Sequence, residues 1–165
     1  MKFTCISNEI SQSKVEETIK GRVWRNMGYI LKNGETVSFR LYEEDDFPYI
    51  DQLNIQEQWN NLVEKKEDTR QAWSKSNVKF VACINDQIIG YIRGITDEHI
   101  TLYVCELLIV KKYQGFGIGT SLLKYVHQQY PKTRIDLLAS NTSVTYYENI
   151  KFRSFYGFRK TFGEW

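Results

Sequence analysis

Apolar and polar residues alternate along the middle of the chain. Every second residue from Val78 to Ile84 is apolar, and these side chains would share one face of a β-strand. The pair Asn85-Asp86 follows, and residues 88–95 form a second extended run, so the pattern predicts a β-hairpin. The apolar run 100–110 predicts a central strand that continues the antiparallel meander.

A second hairpin is predicted nearer the N-terminus. Asn33-Gly34 lies between the apolar runs 29–31 and 37–41, and this dipeptide favours a two-residue turn between antiparallel strands. Residues 1–36 are therefore interpreted as an N-terminal extension with an edge hairpin. Residues 37–162 are interpreted as the core of the fold.

Helical spacing follows this hairpin. The acidic residues 43–46 precede a helix predicted through Leu53, and acidic residues in a first helical turn complement the helix dipole. Apolar residues from Ile55 to Val63 recur at intervals of three and four, which predicts a second amphipathic helix. A short third helix is expected near Trp73.

The C-terminal third predicts one crossover unit and closing strands. A helical stripe over residues 118–126 ends at Tyr130-Pro131, because proline restricts the residue before it and cannot continue the helix. Residues 135–139 then form a short apolar strand, and a strand, helix and strand in this order predict a right-handed parallel crossover. Residues 144–150 predict a further helix, and the alternating aromatic residues of 152–162 predict the last strands.

The fold class that follows is α+β, with a mixed, mainly antiparallel sheet, helices on both faces and one parallel β-α-β crossover. A chain of 165 residues and 19.6 kDa is expected to form a single domain, residues 1–165. Its net charge of +2 favours neither a nucleic-acid partner nor a membrane surface. The three cysteines are scattered without metal-ligand spacing, so no metal site is predicted, and a cytoplasmic location is expected.

Three glycines alternate in the segment after the central strand, Gly115, Gly117 and Gly119. Glycine lets successive backbone N–H groups curl around an anion, and the helix start that follows favours negative charge. A dinucleotide motif would place its third glycine at Thr120 or Leu122, and neither is glycine. A triphosphate loop would require a lysine before its Ser or Thr, and Gly119-Thr120-Ser121 has none.

The pattern Gln-x-x-Gly-x-Gly that begins at Gln114 resembles the GNAT acetyltransferase superfamily, as does the predicted order of elements. A second match begins at Ser140 and contains Tyr147 and Phe152, although Asn141 is one residue late and Lys151 replaces the usual glycine. The resemblance implies acetyl-CoA as cosubstrate, with its pyrophosphate on the glycine turn and its pantetheine arm beside the strand. The implied cofactor-binding residues are Leu108, Ile109, Val110, Gln114, Gly115, Phe116, Gly117, Ile118, Gly119, Thr120 and Asn141.

Two residues are the catalytic candidates. Acetyl transfer to an amine requires loss of a proton, and Glu106 lies in an apolar strand at a position where members of the family carry an acid. Tyr147 resembles the family's proton donor to the departing thiolate. The simpler alternatives are that Glu106 faces solvent or pairs with a basic residue, and that Tyr147 packs inward while Tyr146 is the polar-facing tyrosine.

The predicted function is acetyl-CoA-dependent N-acetylation of a primary amine by direct transfer in a ternary complex. The acceptor is expected to be a small-molecule or peptide amine, with a homodimer as a further expected partner and neither nucleic acid nor a membrane. One alternative is a CoA-binding regulator without turnover. The other is an RNA-binding domain that uses the aromatic residues 155–159, although this segment lacks the opening Lys/Arg-Gly of RNA-recognition strands.

Overall fold

The structure is a computed structural model, and it describes residues 16–19, 22–25 and 27–165. Six of its strands form one sheet, and two short strands pair separately. The strands are β1 Glu16–Ile19, β2 Arg22–Arg25, β3 Met27–Ile30, β4 Thr36–Leu41, β5 Val78–Ile84, β6 Gln87–Thr96, β7 Thr101–Ile109 and β8 Arg134–Leu137. The helices are α1 Phe47–Gln56, α2 Asn60–Glu64, α3 Lys66–Lys75, α4 Ile118–Gln129 and α5 Val144–Asn149.

The large sheet follows chain order from β3 to β8. Neighbouring strands from β3 to β7 are antiparallel, and β8 is parallel to β7 after the crossover through α4. This arrangement confirms the predicted mixed sheet, the meander and the single parallel crossover. The separate pair β1–β2 belongs to the segment that was interpreted as an N-terminal extension.

The two predicted turns differ in length. Asn85 and Asp86 have φ values of 49° and 63°, which is the conformation of a two-residue type I′ hairpin turn. The turn at Gly34 is longer than predicted, because the Leu31 N–H donates to the Glu35 carbonyl and three residues lie between them. Gly34 has a φ of 86°, so the glycine is needed at the last position of this loop.

Helices cover both faces of the sheet, as predicted. On one face Trp73 of α3, which is 1% exposed, packs edge-on against Tyr91 of β6. On the other face Tyr125 of α4 packs against Phe39 and Phe80. Both faces of β5 are therefore buried, although the alternating pattern indicated only one apolar face.

The second predicted helix, which was expected to run without interruption from Ile55 to Val63, is broken in the structure. Helix α1 extends to Gln56, and Gln58 then takes a left-handed conformation with a φ of 60°. This conformation ends α1 and redirects the chain, so that Trp59 precedes the short helix α2. The predicted short helix near Trp73 is α3, which spans ten residues.

The closing strands predicted over residues 152–162 are absent, and the prediction was wrong for this part of the described chain. Residues 152–161 have no regular structure, and a single short 3-10 turn follows at Phe162–Glu164. The sheet ends at β8. Alternation of aromatic and polar residues signals a strand only where a partner strand is available to pair with it.

None of the helices in the described residues is long and apolar enough to cross a membrane. Among these residues there is also no cluster of His, Cys, Asp and Glu side chains that could hold a metal ion.

Candidate active site

The candidate site lies where β7 and β8 separate. Strand β8 pairs with β7 only from Thr101 to Val104, so the segment from Cys105 to Ile109 has no strand partner on that side. Beyond this point the two strands border a groove of about 980 Å³. Backbone groups of β7 along the unpaired stretch, apart from the Ile109 carbonyl that accepts from Gln114, are available to a ligand that binds in an extended conformation.

A β-bulge in β7 changes the direction of the side chains at the groove. Glu106 pairs with Arg93 and Val104 pairs with Gly94, so Cys105 is an extra residue without a partner on β6. Because Arg93 and Gly94 are consecutive and point to opposite faces, Glu106 and Val104 also point to opposite faces. The bulge therefore places Glu106 on the face that α1 and α3 cover.

Glu106 is held by an ion pair with Arg93. The Arg93 Nη2 atom donates to Glu106 Oε1 at 2.5 Å, Nε donates to Oε2, and both side chains are largely buried. A third bond, from Arg93 Nη1 to Ser76 Oγ at 2.8 Å, anchors the guanidinium. Burial disfavours the charged form of Arg93, but the hydrogen bonds with Glu106 and the attraction of its negative charge together outweigh burial, so the pKa of Arg93 is raised. The basic partner that the sequence left open for Glu106 is thus Arg93.

The glycine turn forms the opposite end of the groove. Gly115 and Gly117 have φ values of 81° and 80°, a conformation that side chains disfavour, and a Cβ at either would meet no atom within 4 Å. Gly117 directly precedes α4, whose first N–H groups have no partner within the helix. Gln114 anchors the turn, because its Nε2 donates to the Ile109 carbonyl at 2.8 Å. The turn and the helix start together suit an anion.

Two tyrosines of α5 form the wall opposite β7. The Tyr146 hydroxyl lies 3.2 Å from Thr120 Oγ1, and a Cβ on Gly119 would approach that hydroxyl to 2.9 Å. Gly119 is therefore needed for the close contact between α4 and α5. The Tyr147 ring packs against Tyr146 and Phe152, and burial raises the pKa of Tyr147 to about 12.

The connection between α1 and α2 also borders the groove. Gln58, Trp59 and Asn61 line it there, and the Trp59 ring meets Tyr91 edge-on at 6.3 Å. The Tyr91 hydroxyl in turn donates to Asn54 Oδ1 at 2.5 Å. This buried hydrogen bond fixes the ring against which Trp59 packs. Trp59 therefore lines the groove, whereas the buried Trp73 belongs to the core.

Most of the predicted site residues meet in this groove. Those that line it are Glu106, Tyr147, Ile109, Gln114, Gly115, Gly117, Ile118, Gly119 and Thr120. Leu108, Val110, Phe116 and Asn141 do not line it, and the Val110 N–H already donates to the Ile89 carbonyl at 2.9 Å. Ser140, which the motif alignment put in place of the usual asparagine, lines the groove where Asn141 does not.

Sequence reasoning did not select Gln58, Asn61 or Tyr146 as site residues. Gln58 and Asn61 lie in a helix connection whose existence depends on the break after α1, and the sequence pattern concealed that break. The sequence did contain an indication for Tyr146, because it directly precedes Tyr147 and was considered as the alternative polar-facing tyrosine. The structure brings both tyrosines to the groove.

Comparisons with known proteins agree with this fold. The family described as "Acetyltransferase (GNAT) domain" matches residues 28–162. A GNAT-family acetyltransferase from Streptococcus pneumoniae has a similar structure, with a TM-score of 0.59 and 24% identity over 72% of this chain and 87% of its own. An acetyltransferase from Trypanosoma brucei gives a TM-score of 0.55 and 18% identity over 76% and 98%.

An aminoglycoside acetyltransferase from an uncultured soil sample, in complex with sisomicin, gives a TM-score of 0.56 and 18% identity over 76% of this chain and 95% of its own. At these identities the similarity is one of fold. Comparison with curated proteins gave no match.

Proposed function

The chain belongs to the GNAT acetyltransferase family, and we propose that it transfers the acetyl group of acetyl-CoA directly to a primary amine in a ternary complex. The observation that carries the proposal is the groove between β7 and β8, which the glycine turn, Glu106, Trp59 and Tyr147 line together. Acetyl-CoA would place its pyrophosphate on the glycine turn and its acyl group near Glu106. The acceptor would bring its amine to that acyl group.

Acetyl-CoA would bind mainly through the backbone. Its pyrophosphate would accept hydrogen bonds from the turn that begins at Gly115 and from the free N–H groups at the start of α4. Its pantetheine amides would bond to the unpaired side of β7 between Cys105 and Ile109, as a peptide adds to a sheet edge. The positive-φ glycines support this role, because they keep side chains away from the cradle.

Glu106 would accept the proton that the ammonium must lose before it can attack. Its two oxygens offer about four acceptor sites, so the hydrogen bonds from Arg93 leave room for one from the amine or from a water. Arg93 would hold the carboxylate in place through these bonds. The neutral amine then attacks the thioester carbon, the C–S bond breaks, and the sulfur leaves as a thiolate.

Tyr147 would donate a proton to this thiolate. Its hydroxyl keeps its proton at neutral pH because burial raises its pKa to about 12, and the family resemblance assigns the donor role to this position. The attacking nitrogen would lose its second proton as the amide forms, this proton would restore the Tyr147 hydroxyl, and the products would be the N-acetylated amine and CoA. Tyr146 would act instead on the cosubstrate side, because its hydroxyl lies beside Thr120 at the glycine turn.

A CoA-binding regulator without turnover is the second candidate, and a specific observation favours it. Both oxygens of Glu106 are engaged by Arg93. If that ion pair persisted with ligands bound and no further hydrogen bond formed, the carboxylate would not take up a proton. Binding of acetyl-CoA would then occur without acetyl transfer.

Two measurements separate these candidates. Calorimetry with acetyl-CoA should show binding, and its absence would contradict both. Thiol release should then be followed over a library of small-molecule and peptide amines. Release with at least one amine supports the enzyme, and binding without release from any amine supports the regulator. The cytoplasmic location stays a prediction.

A further inference from the structure

The groove carries almost no uncompensated charge. Among the described residues that line it, Glu106 is the only one with a charged side chain. That charge is compensated by Arg93, whose Nη2 atom donates to Glu106 Oε1 at 2.5 Å, and both side chains of this pair are largely buried. A cationic group that enters the groove therefore meets no carboxylate that lacks a basic partner.

Other acidic side chains on the flanks of α1 do not line the groove. Glu57, which directly precedes the lining residue Gln58, accepts a hydrogen bond from the Lys111 N–H at 3.0 Å. Glu44 borders a separate cavity of about 390 Å³ and pairs there with Arg70 at 2.9 Å. Neither carboxylate is placed to bind a second ammonium group in the groove.

Two carboxamides line the groove on either side of Trp59 in the chain, those of Gln58 and Asn61. Both residues are exposed, and within the part of the chain that the structure describes neither carboxamide has a hydrogen-bond partner. A carboxamide donates and accepts hydrogen bonds without carrying charge, so it pairs with hydroxyl and amide groups. The half-buried Trp59 ring adds an apolar surface. Together these side chains suit a ligand that is polar but uncharged.

The volume of the groove limits the size of the acceptor. Pockets for a single small ligand usually measure about 300–1,000 Å³. The groove of about 980 Å³ would have to hold the acetyl group and pantetheine arm of acetyl-CoA together with the acceptor. The room that remains suits a small molecule.

We propose that the acceptor is a small molecule with a single amine on an uncharged body that bears hydroxyl or amide groups, and that polycationic amines are disfavoured. This inference rests on the proposed acetyl transfer. The reacting ammonium becomes neutral when it gives its proton to Glu106, whereas a second ammonium stays charged in the groove. Removal of that charge from water without a partner is costly, so the second ammonium raises KM.

The first test compares 4-amino-1-butanol with 1,4-diaminobutane, which have the same chain length and differ in one terminal hydroxyl or ammonium group. Thiol release at one pH and saturating acetyl-CoA gives kcat/KM for each amine. The amino alcohol should have the higher value by about tenfold. The wider amine library, scored by the number of cationic groups on each amine, should show the same preference.

The second test adds a carboxylate to the groove. Asn61→Asp should shift the kcat/KM ratio toward the diamine by about fivefold to tenfold, because the new charge compensates the second ammonium. Asn60→Asp is the matched control, since it adds the same charge one residue earlier at an exposed position that does not line the groove. The control should leave the ratio nearly unchanged. Thermal unfolding should show that both variants fold normally, because both positions are exposed.

The outcomes distinguish this inference from the proposed function. A kcat/KM for the diamine that equals or exceeds that of the amino alcohol would overturn the inference and leave acetyl transfer intact, as would release confined to amines with two or more cationic groups. An equal shift in Asn61→Asp and Asn60→Asp would also overturn it, because the effect would then come from the net charge of the protein. Thiol release from no amine would contradict the proposed function, and this inference with it.

Discussion

The two ends of the groove are built from different parts of the chain. The glycine end uses backbone N–H groups of one continuous segment, from Gln114 to the first turn of α4. The opposite end uses the side chains of Trp59, Glu106 and Tyr147, which come from three separate elements. A backbone site depends on local conformation, whereas a side-chain site depends on how the elements pack. The two ends should therefore respond differently to substitution.

The largest expected effect is at the side-chain end. Glu106→Gln should lower kcat by about 10²–10⁴, the usual contribution of a general base, with little change in acetyl-CoA affinity. The two measurements are steady-state kinetics and calorimetry. An unchanged kcat would remove Glu106 from the mechanism.

A control is needed because Glu106→Gln also breaks a largely buried ion pair. Asp51→Asn disrupts another pair with a buried carboxylate, that of Asp51 with Lys66, outside the groove. It should lower stability in thermal unfolding without changing kcat. If both variants lost kcat equally, the effect of Glu106→Gln would be one of folding.

Tyr147→Phe tests the second side chain. Loss of the proton donor should reduce kcat by about 10²-fold and leave acetyl-CoA affinity nearly unchanged. The neighbouring variant Tyr146→Phe is the matched control, and it should weaken acetyl-CoA binding more than it reduces kcat, because Tyr146 contacts Thr120. The reverse result for the pair would assign the donor role to Tyr146.

The glycine end should show the opposite pattern, an effect on binding rather than on turnover. Gly117→Ala forces a side chain into a left-handed conformation that costs about 1–2 kcal/mol, so acetyl-CoA should bind roughly tenfold more weakly. Gly34→Ala introduces the same strain at a φ of 86° in the β3–β4 loop. It should lower stability without changing the dissociation constant. Equal affinities of the two variants would contradict the backbone cradle.

The smallest expected effect is on stability, and it concerns the backbone conformation of the residue that follows α5. Lys151 follows this helix with a φ of 69°, at a position where the family motif has glycine. Lys151→Gly should relieve about 1 kcal/mol of strain and raise the melting temperature by about 2–4 °C. Lys132→Gly, at an exposed position without a positive φ, should give no such increase. A melting temperature that falls in Lys151→Gly would show that the lysine side chain makes a stabilising contact.

Local patterns in the sequence were sufficient for the meander, the crossover and the glycine turn. Each depends on residues that are close in sequence, such as Asn85-Asp86 for a hairpin turn or Gly117 before a helix. The prediction of closing strands was wrong because strand pairing depends on the edge of a distant strand. The local pattern of residues 152–162 holds no information about that edge. The break after α1 was not predicted for a related reason. The helical spacing of apolar residues runs on past Gln58, so the pattern gave no sign that the helix ends there.

The sequence by itself determined the family, the order of the meander and the crossover, and the location of the glycine turn, because a local turn is encoded by the few residues that form it. The tertiary structure alone decided which face Glu106 takes, through the bulge at Cys105, and which basic residue holds it. It also decided that Trp59 lines the groove and Trp73 does not. These outcomes depend on strand register and on packing between distant elements, which a local pattern of residues does not specify.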